Sequence, residues 1–171
     1  DSALNLHLTD SAMDLYQAAA ALAPNSYGVR NQLAEIQIDL GFYDEALEEL
    51  DRSLGLTGES NESIPALHLK GRLFWEIKRY DDAVQALKHG LSIGSSTTSL
   101  RLIHDIYTMQ GVINDIGYFD KLINENSNDS VAFYFRSLAN LGLGNTHNAT
   151  SDMETASKLG FNPGNIREEN R

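Results

Sequence analysis

The stretch GFYDEALEELDRSL, Gly41 to Leu54, sets a glycine and an aromatic pair ahead of an acid-rich run in which Ala46, Leu47, Leu50, Ser53 and Leu54 fall at helical spacing. It has a counterpart in KRYDDAVQALKHGL, Lys78 to Leu91, where Tyr80, Ala83, Leu87 and Gly90 stand in the places of Tyr43, Ala46, Leu50 and Ser53. Sliding the sequence along itself extends the match through Ala12, Ala46, Ala83, Ile116 and Ala149, with successive steps of 34, 37, 33 and 33 residues. A self-similar period of that length marks a chain built from one supersecondary unit used several times.

Within each unit the second helix carries a small, a large and a second small residue on one stripe: Ala12/Tyr16/Ala19, Ala46/Leu50/Ser53, Ala83/Leu87/Gly90 and Ala149/Met153/Ala156. Positions i, i+4 and i+7 share a helical face, and two antiparallel helices approach closely only where that face carries small side chains. The copy with Ile116/Asp120/Ile123 departs from the pattern and has His104 where Ala34, Gly71 and Ser137 sit elsewhere, so it is expected to pack less regularly. First helices are marked by Leu33, Ala34 and Ile36, by Leu67, Gly71, Leu73 and Phe74, by Leu100, Ile103, Ile106 and Tyr107, and by Phe133, Ser137, Ala139 and Leu143. They end near Gly41, Lys78, Gly111 and Gly144, as tight interhelical turns require. Asp10, Asn25 or Ser26, Ser63, Asp129 and Asn145 are placed to cap helix N-termini. The 37-residue step reflects an insertion, Gly55 to Ser63, which predicts a longer polar loop before Pro65 opens the next helix.

The 171 residues carry 24 acidic against 13 basic side chains, a formal charge of −11, which argues against nucleic-acid binding and against anionic membranes. The longest apolar runs, such as Ala18 to Ala23, fall far short of the roughly 20 residues that span a bilayer, so no membrane insertion is expected. The absence of cysteine removes disulfides, thiol nucleophiles and thiolate metal sites. The chain opens on Asp1 without a methionine, a basic segment or an apolar targeting stretch, which reads as a processed form or a piece of a longer chain. Its polar surface suits an exported bacterial protein as well as a cytosolic one, with the cytoplasm taken as the expectation.

Chemistry has little to work with. The histidines at 7, 68, 89, 104 and 147 never fall four apart on a helix, and neither a His-Glu-x-x-His motif nor a glycine-rich phosphate loop occurs. No nucleophile, base and orienting group converge, so no catalytic residue, cofactor or metal is expected. The acids Asp44, Glu45, Glu48, Glu49 and Asp51 read as the solvated side of a second helix.

The chain resembles the tetratricopeptide repeat, through Pro24 and Gly41/Tyr43/Ala46, through Gly71/Phe74/Tyr80/Ala83, and through Phe133, Gly144, Ala149, Ala156 and Pro163. The resemblance implies an all-α, right-handed superhelix of stacked antiparallel helix-turn-helix repeats in a single domain, 1–171. Its copies fall at 1–26 (partial), 27–60, 64–96, 97–129 and 130–163, with 164–171 starting a C-terminal cap. It further implies a non-catalytic scaffold that binds a peptide or partner protein in a concave groove lined by the first helices. In that register the groove positions are Asn31, Glu35, Ile38 and Asp39; His68, Arg72, Trp75 and Glu76; Arg101, Asp105, Thr108 and Met109; and Tyr134, Leu138 and Leu141. The expected centre, with Trp75 and Tyr134 flanked by His68, Arg72 and Arg101, is aromatic and cationic and would take an acidic or carboxylate-bearing segment. Chaperone-binding members hold a C-terminal carboxylate with a Lys-Asn-Asn-Lys-Arg clamp, but the matching places hold Asn31, Glu35, Leu69, Thr98 and Leu102, and none fits. Moving the frame by one copy, to His68, Arg72, Leu102, Val131 and Phe135, does not restore it. Two alternatives stand beside the scaffold: a homo-oligomer formed through the open N-terminal repeat, and a regulatory or docking segment of a larger enzyme.

Overall fold

The computed structural model describes the backbone of residues 2–162 and the side chains of residues 11–162. The expected cap at 164–171 lies outside the described residues. Those that are described form α-helices joined by short turns, with no strand among them. They fall into two compact units that divide between Ile93 and Gly94.

The first unit opens with α1 (Ser2–Leu22) and continues with two hairpins, α2 (Tyr27–Leu40) with α3 (Tyr43–Thr57) and α4 (Ile64–Glu76) with α5 (Tyr80–Ile93). Helix α1 packs on α2, α3 packs on α4, and the first helices α2 and α4 also touch. Asp10, expected to cap a second helix, instead lies inside α1, whose backbone is helical without a break from Ser2 to Leu22. The capping serine of α2 is Ser26, whose side chain accepts from the Val29 N–H. The insertion is shorter as a loop than expected: α3 absorbs Gly55 to Thr57, and a 3-10 turn, Asn61–Ser63, leads directly into α4 with Pro65 in its first turn.

The tight turns repeat one device. Gly41, Gly111 and Gly144 adopt positive φ, between 74° and 81°, and Lys78 does the same at 63° in the equivalent place. In each turn the next residue donates back to a carbonyl five positions earlier, Phe42 to Gln37, Arg79 to Phe74, Val112 to Tyr107 and Asn145 to Asn140. This left-handed residue closes the helix and reverses the chain.

Small residues set the hairpin spacing in the first unit. A Cβ added to Gly71 would lie 2.5 Å from Leu87 Cγ, so the glycine is where α4 and α5 meet most closely. Leu50, Ala46, Ala83 and Leu87 are fully enclosed there, and each large aliphatic side chain so buried stabilises by about 1.5–3 kcal/mol.

The second unit holds α6 (Thr97–Met109) with α7 (Ile116–Glu125) and α8 (Ser130–Gly142) with α9 (Thr146–Lys158). Here the copy that departs from the pattern behaves differently: His104 is 51% exposed at its side chain instead of packing like Gly71. An aromatic cluster fills the space between α6, α7 and α8. Tyr107 meets Phe119 and Phe135 edge-on at 5.4 and 5.1 Å, and Phe119 stacks on Phe135 at 6.1 Å. Asp115 and Ser96 cap α7 and α6 through their side chains, two caps not anticipated from the sequence.

Candidate functional site

Helices α2 and α4, lying side by side, bring the sequence candidates of the first unit together. Arg72 of α4 reaches across to Asp39 and lies 3.8 Å from Glu35, both on α2. The residue expected to supply positive charge is therefore already engaged by two carboxylates. With Glu76 exposed nearby on α4, the face carries three acids against one arginine. His68 is half-buried, and burial followed by the adjacent Arg72 charge holds its imidazole below the usual value, which favours the neutral ring. Trp75 is half-buried and meets Tyr80 edge-on at 6.4 Å, so part of its ring surface is used within its own hairpin. Asn31 is only 6% exposed and its Oδ1 has no hydrogen-bond partner, which makes it a floor residue and not a surface contact.

In the second unit the candidates do not form one cluster. Arg101, Asp105 and Thr108 are exposed on α6, where Asp105 faces His104 at 3.5 Å. Tyr134 of α8 is buried against Phe161, with ring centroids 4.7 Å apart, and burial raises its hydroxyl pKa. It belongs to the core and supplies no groove surface, because Phe161, just beyond α9, folds back over it. Leu138 is half-buried.

Sequence reading missed a second set of residues, on the side of the second helices. In the first unit a pocket of about 680 Å³ lies between α3 and α5, floored by Leu67, Phe74 and Ala86 and edged by Glu59, Lys70, Asp82 and Gln85. In the second unit a pocket of about 400 Å³ is lined by Asp120, Arg136, Asn140, Asn148, Ser151 and Asp152. Lys70, Phe74, Asp82, Gln85 and Ala86 correspond to Arg136, Asn140, Asn148, Ser151 and Asp152, every pair 66 positions apart. Two repeat lengths separate them, so the two units carry the same groove with different chemistry. The signal was present in the repeat register but required knowing which stripe stays open.

The polar version is internally satisfied. Arg136 pairs with Asp152 through two nitrogens, at 2.6 and 3.0 Å, and with Asp120 at 2.6 Å, while Asn140 donates to Asp152 at 3.1 Å. The bond to Asp152 leads the causes that raise the Arg136 pKa. Asp120, anomalous as a hairpin residue, is explained by this arginine. Among the described residues no group of three histidine or acidic side chains is arranged to hold a metal, and no helix is long and apolar enough to cross a membrane.

Residues 23–95 match the family model described as tetratricopeptide repeat. That stretch, 23–95, carries tetratricopeptide repeats. Solved structures similar to this repeat protein span nearly its whole length. MamA is 20% identical, with 94% of this chain and 93% of that chain covered and a TM-score of 0.54. The Pseudomonas aeruginosa pilF structure is 17% identical, covering 93% and 72%, also at 0.54. A putative kinesin light chain of Podosopora anserina with nearly identical TPR-like repeats is 13% identical, covering 91% and 89%, at 0.55. At these identities the likeness concerns the fold, an all-α repeat of the solenoid class. No curated protein matches the sequence.

Proposed function

We propose that this tetratricopeptide-repeat protein is a non-catalytic interaction scaffold that receives a segment of a partner protein on the face formed by α2 and α4. The observation that supports this reading is the row of Glu35, Asp39, Arg72 and His68, held at one level by two adjacent first helices and left partly open to solvent. Because Arg72 already serves two carboxylates, a purely acidic ligand would have to displace them. The face suits a segment of mixed or basic charge, which exchanges one ion pair for another and meets the exposed edge of Trp75. The test is affinity capture from a lysate with the wild-type chain beside a Trp75→Ala, Arg72→Glu variant of unchanged helicity. A partner retained only by the wild type supports the α2–α4 face; a partner kept by both removes it.

A second reading is favoured by α1. Leu15 and Leu22, seven residues apart on that helix, are 71% and 87% exposed. Two large aliphatic residues on one stripe form an apolar face of the kind that stacks on another repeat. In this reading a second copy covers α1, and Leu15→Glu with Leu22→Glu lowers the mass measured by sedimentation equilibrium to that of the monomer. A wild-type chain that is monomeric at every concentration removes it.

A further inference from the structure

We propose that the pocket between α3 and α5 is a docking site for a partner segment presenting one bulky apolar side chain beside a lysine or arginine. This site lies on the side of the second helices and stands independently of the α2–α4 face. Its floor is carbon: Leu67, Phe74 and Ala86, with Leu54 at the α3 end. Its volume of about 680 Å³ lies within the usual range of binding clefts, roughly 300–1,000 Å³.

Two observations separate it from an ordinary seam between helices. The first is the insertion. Gly58, Glu59 and Ser63 form one wall, and this segment is tied down by Ser60 Oγ donating to the Thr57 carbonyl at 2.9 Å, by Ser63 Oγ donating to the Ser60 carbonyl at 2.7 Å, and by Glu59 meeting His89 of α5 at 2.9 Å. The extra residues that lengthen this one repeat thus build a lip over the groove. The second is the comparison with the second unit. There the same groove is crossed by Arg136, drawn onto Asp152. In the first unit Ala86 stands in place of the aspartate, and Lys70 turns aside to Asp51 at 2.7 Å, so that pair does not span the groove, whose floor of Leu67, Phe74 and Ala86 is 3–8% exposed with Arg79 over the Phe74 ring.

Charge selects the occupant. Of the ionised side chains at the mouth, Lys70 is held by Asp51 and Arg79 is held by Asp82 while lying over the Phe74 ring. Glu59 faces only an imidazole. Counting Asp51, Glu59 and Asp82 against Lys70 and Arg79, the rim keeps one negative charge in excess, and Glu59 is the acid that no lysine or arginine of this set engages. An apolar anchor with an adjacent basic residue satisfies both the floor and the rim, and an acidic neighbour is repelled.

The experiment uses the full chain and three sets of short synthetic peptides read by fluorescence polarisation: a central phenylalanine or leucine flanked by lysines, the same centre flanked by glutamates, and a central alanine flanked by lysines. The first set is expected to bind about tenfold more tightly than either control. The Lys70→Arg, Ala86→Asp double variant, which copies the Arg136–Asp152 pair into the pocket, is expected to abolish that preference. Glu59→Lys, on the exposed lip and without consequence for the core, weakens the lysine-flanked set by about tenfold even where the double variant does not fold. Arg72→Ala leaves binding unchanged, which distinguishes this pocket from the α2–α4 face. Equal binding of all three sets, loss of binding with Arg72→Ala in place of Glu59→Lys, or a self-associated chain whose pocket is shielded by a second copy would each overturn the proposal.

Discussion

Arg136 and Asp152 meet face to face, Nη2 to Oδ1 at 2.6 Å and Nε to Oδ2 at 3.0 Å, with the aspartate side chain only 8% exposed. The geometry is the paired-fork arrangement in which arginine binds carboxylate best. Removing the arginine leaves the buried aspartate charge without its ionic partner. Asp152→Ala leaves the Asn140 amide without this acceptor and Arg136 with Asp120 as its remaining carboxylate, and a loss of about 2–3 kcal/mol is expected in urea unfolding. Asp120→Ala, at a half-exposed carboxylate on the same arginine, should cost less than about 1 kcal/mol. Equal losses for the two variants would show that burial does not set the value of this network.

Gly71 and Gly28 give opposite signs for the same substitution. In a helix interior Gly→Ala normally gains up to about 1 kcal/mol. At Gly28, in the first turn of α2, nothing lies within 4 Å of the new methyl group, so Gly28→Ala is expected to stabilise by a fraction of that amount. At Gly71 the methyl group would sit 2.5 and 2.6 Å from Leu87 Cγ and Cδ2 and 3.3 Å from the Ala83 carbonyl, and Gly71→Ala is expected to destabilise by about 1–3 kcal/mol. Thermal melting of the two variants, side by side with the wild type, decides it.

Lys78 holds the left-handed turn conformation that glycine holds at 41, 111 and 144. A side chain with a Cβ is disfavoured there by roughly 1 kcal/mol. Lys78→Gly is therefore expected to raise the melting temperature by a few degrees, whereas Gly111→Ala lowers it. A fall on Lys78→Gly would mean that the lysine side chain makes a compensating contribution.

His68 carries a depressed folded-state pKa, caused first by burial and then by Arg72. An unfolded chain then takes up the proton at higher pH than the folded one, so the neutral ring favours the fold. Stability from this group is fully present above the unfolded value of about 6.5 and declines as pH falls from there toward the folded value. His68→Gln should flatten that part of the stability profile, and Arg72→Gln should move the His68 titration, followed by NMR, up toward its ordinary range. A His68 titration unmoved by Arg72→Gln would leave burial as its sole cause.

The parts of the fold legible in the sequence were those written in local patterns. The period through Ala46 and Ala83, the glycine turns and the small-residue stripe at Gly71 required only helical geometry and steric size, and each recurs in the structure. The candidate face was half legible. Glu35, His68 and Arg72 share a surface as their register implied, but Tyr134 was drawn into the core by Phe161, from beyond the repeat's own pattern. Asp120 looked like a defect until Arg136, on the following helix, supplied its partner.

By itself the sequence determined the all-α repeat, because periodicity, capping and turn residues act over a few positions and survive any arrangement of neighbours. Tertiary structure decided where the charges went. Arg72 chose Asp39, 33 residues away, and Lys70 chose Asp51 on the preceding helix and not the groove beside it. An ion pair depends on the distance between side-chain ends on different helices, a quantity of a few ångströms that no spacing along one helix encodes. The open pocket of the first unit and the closed network of the second are the result of that difference.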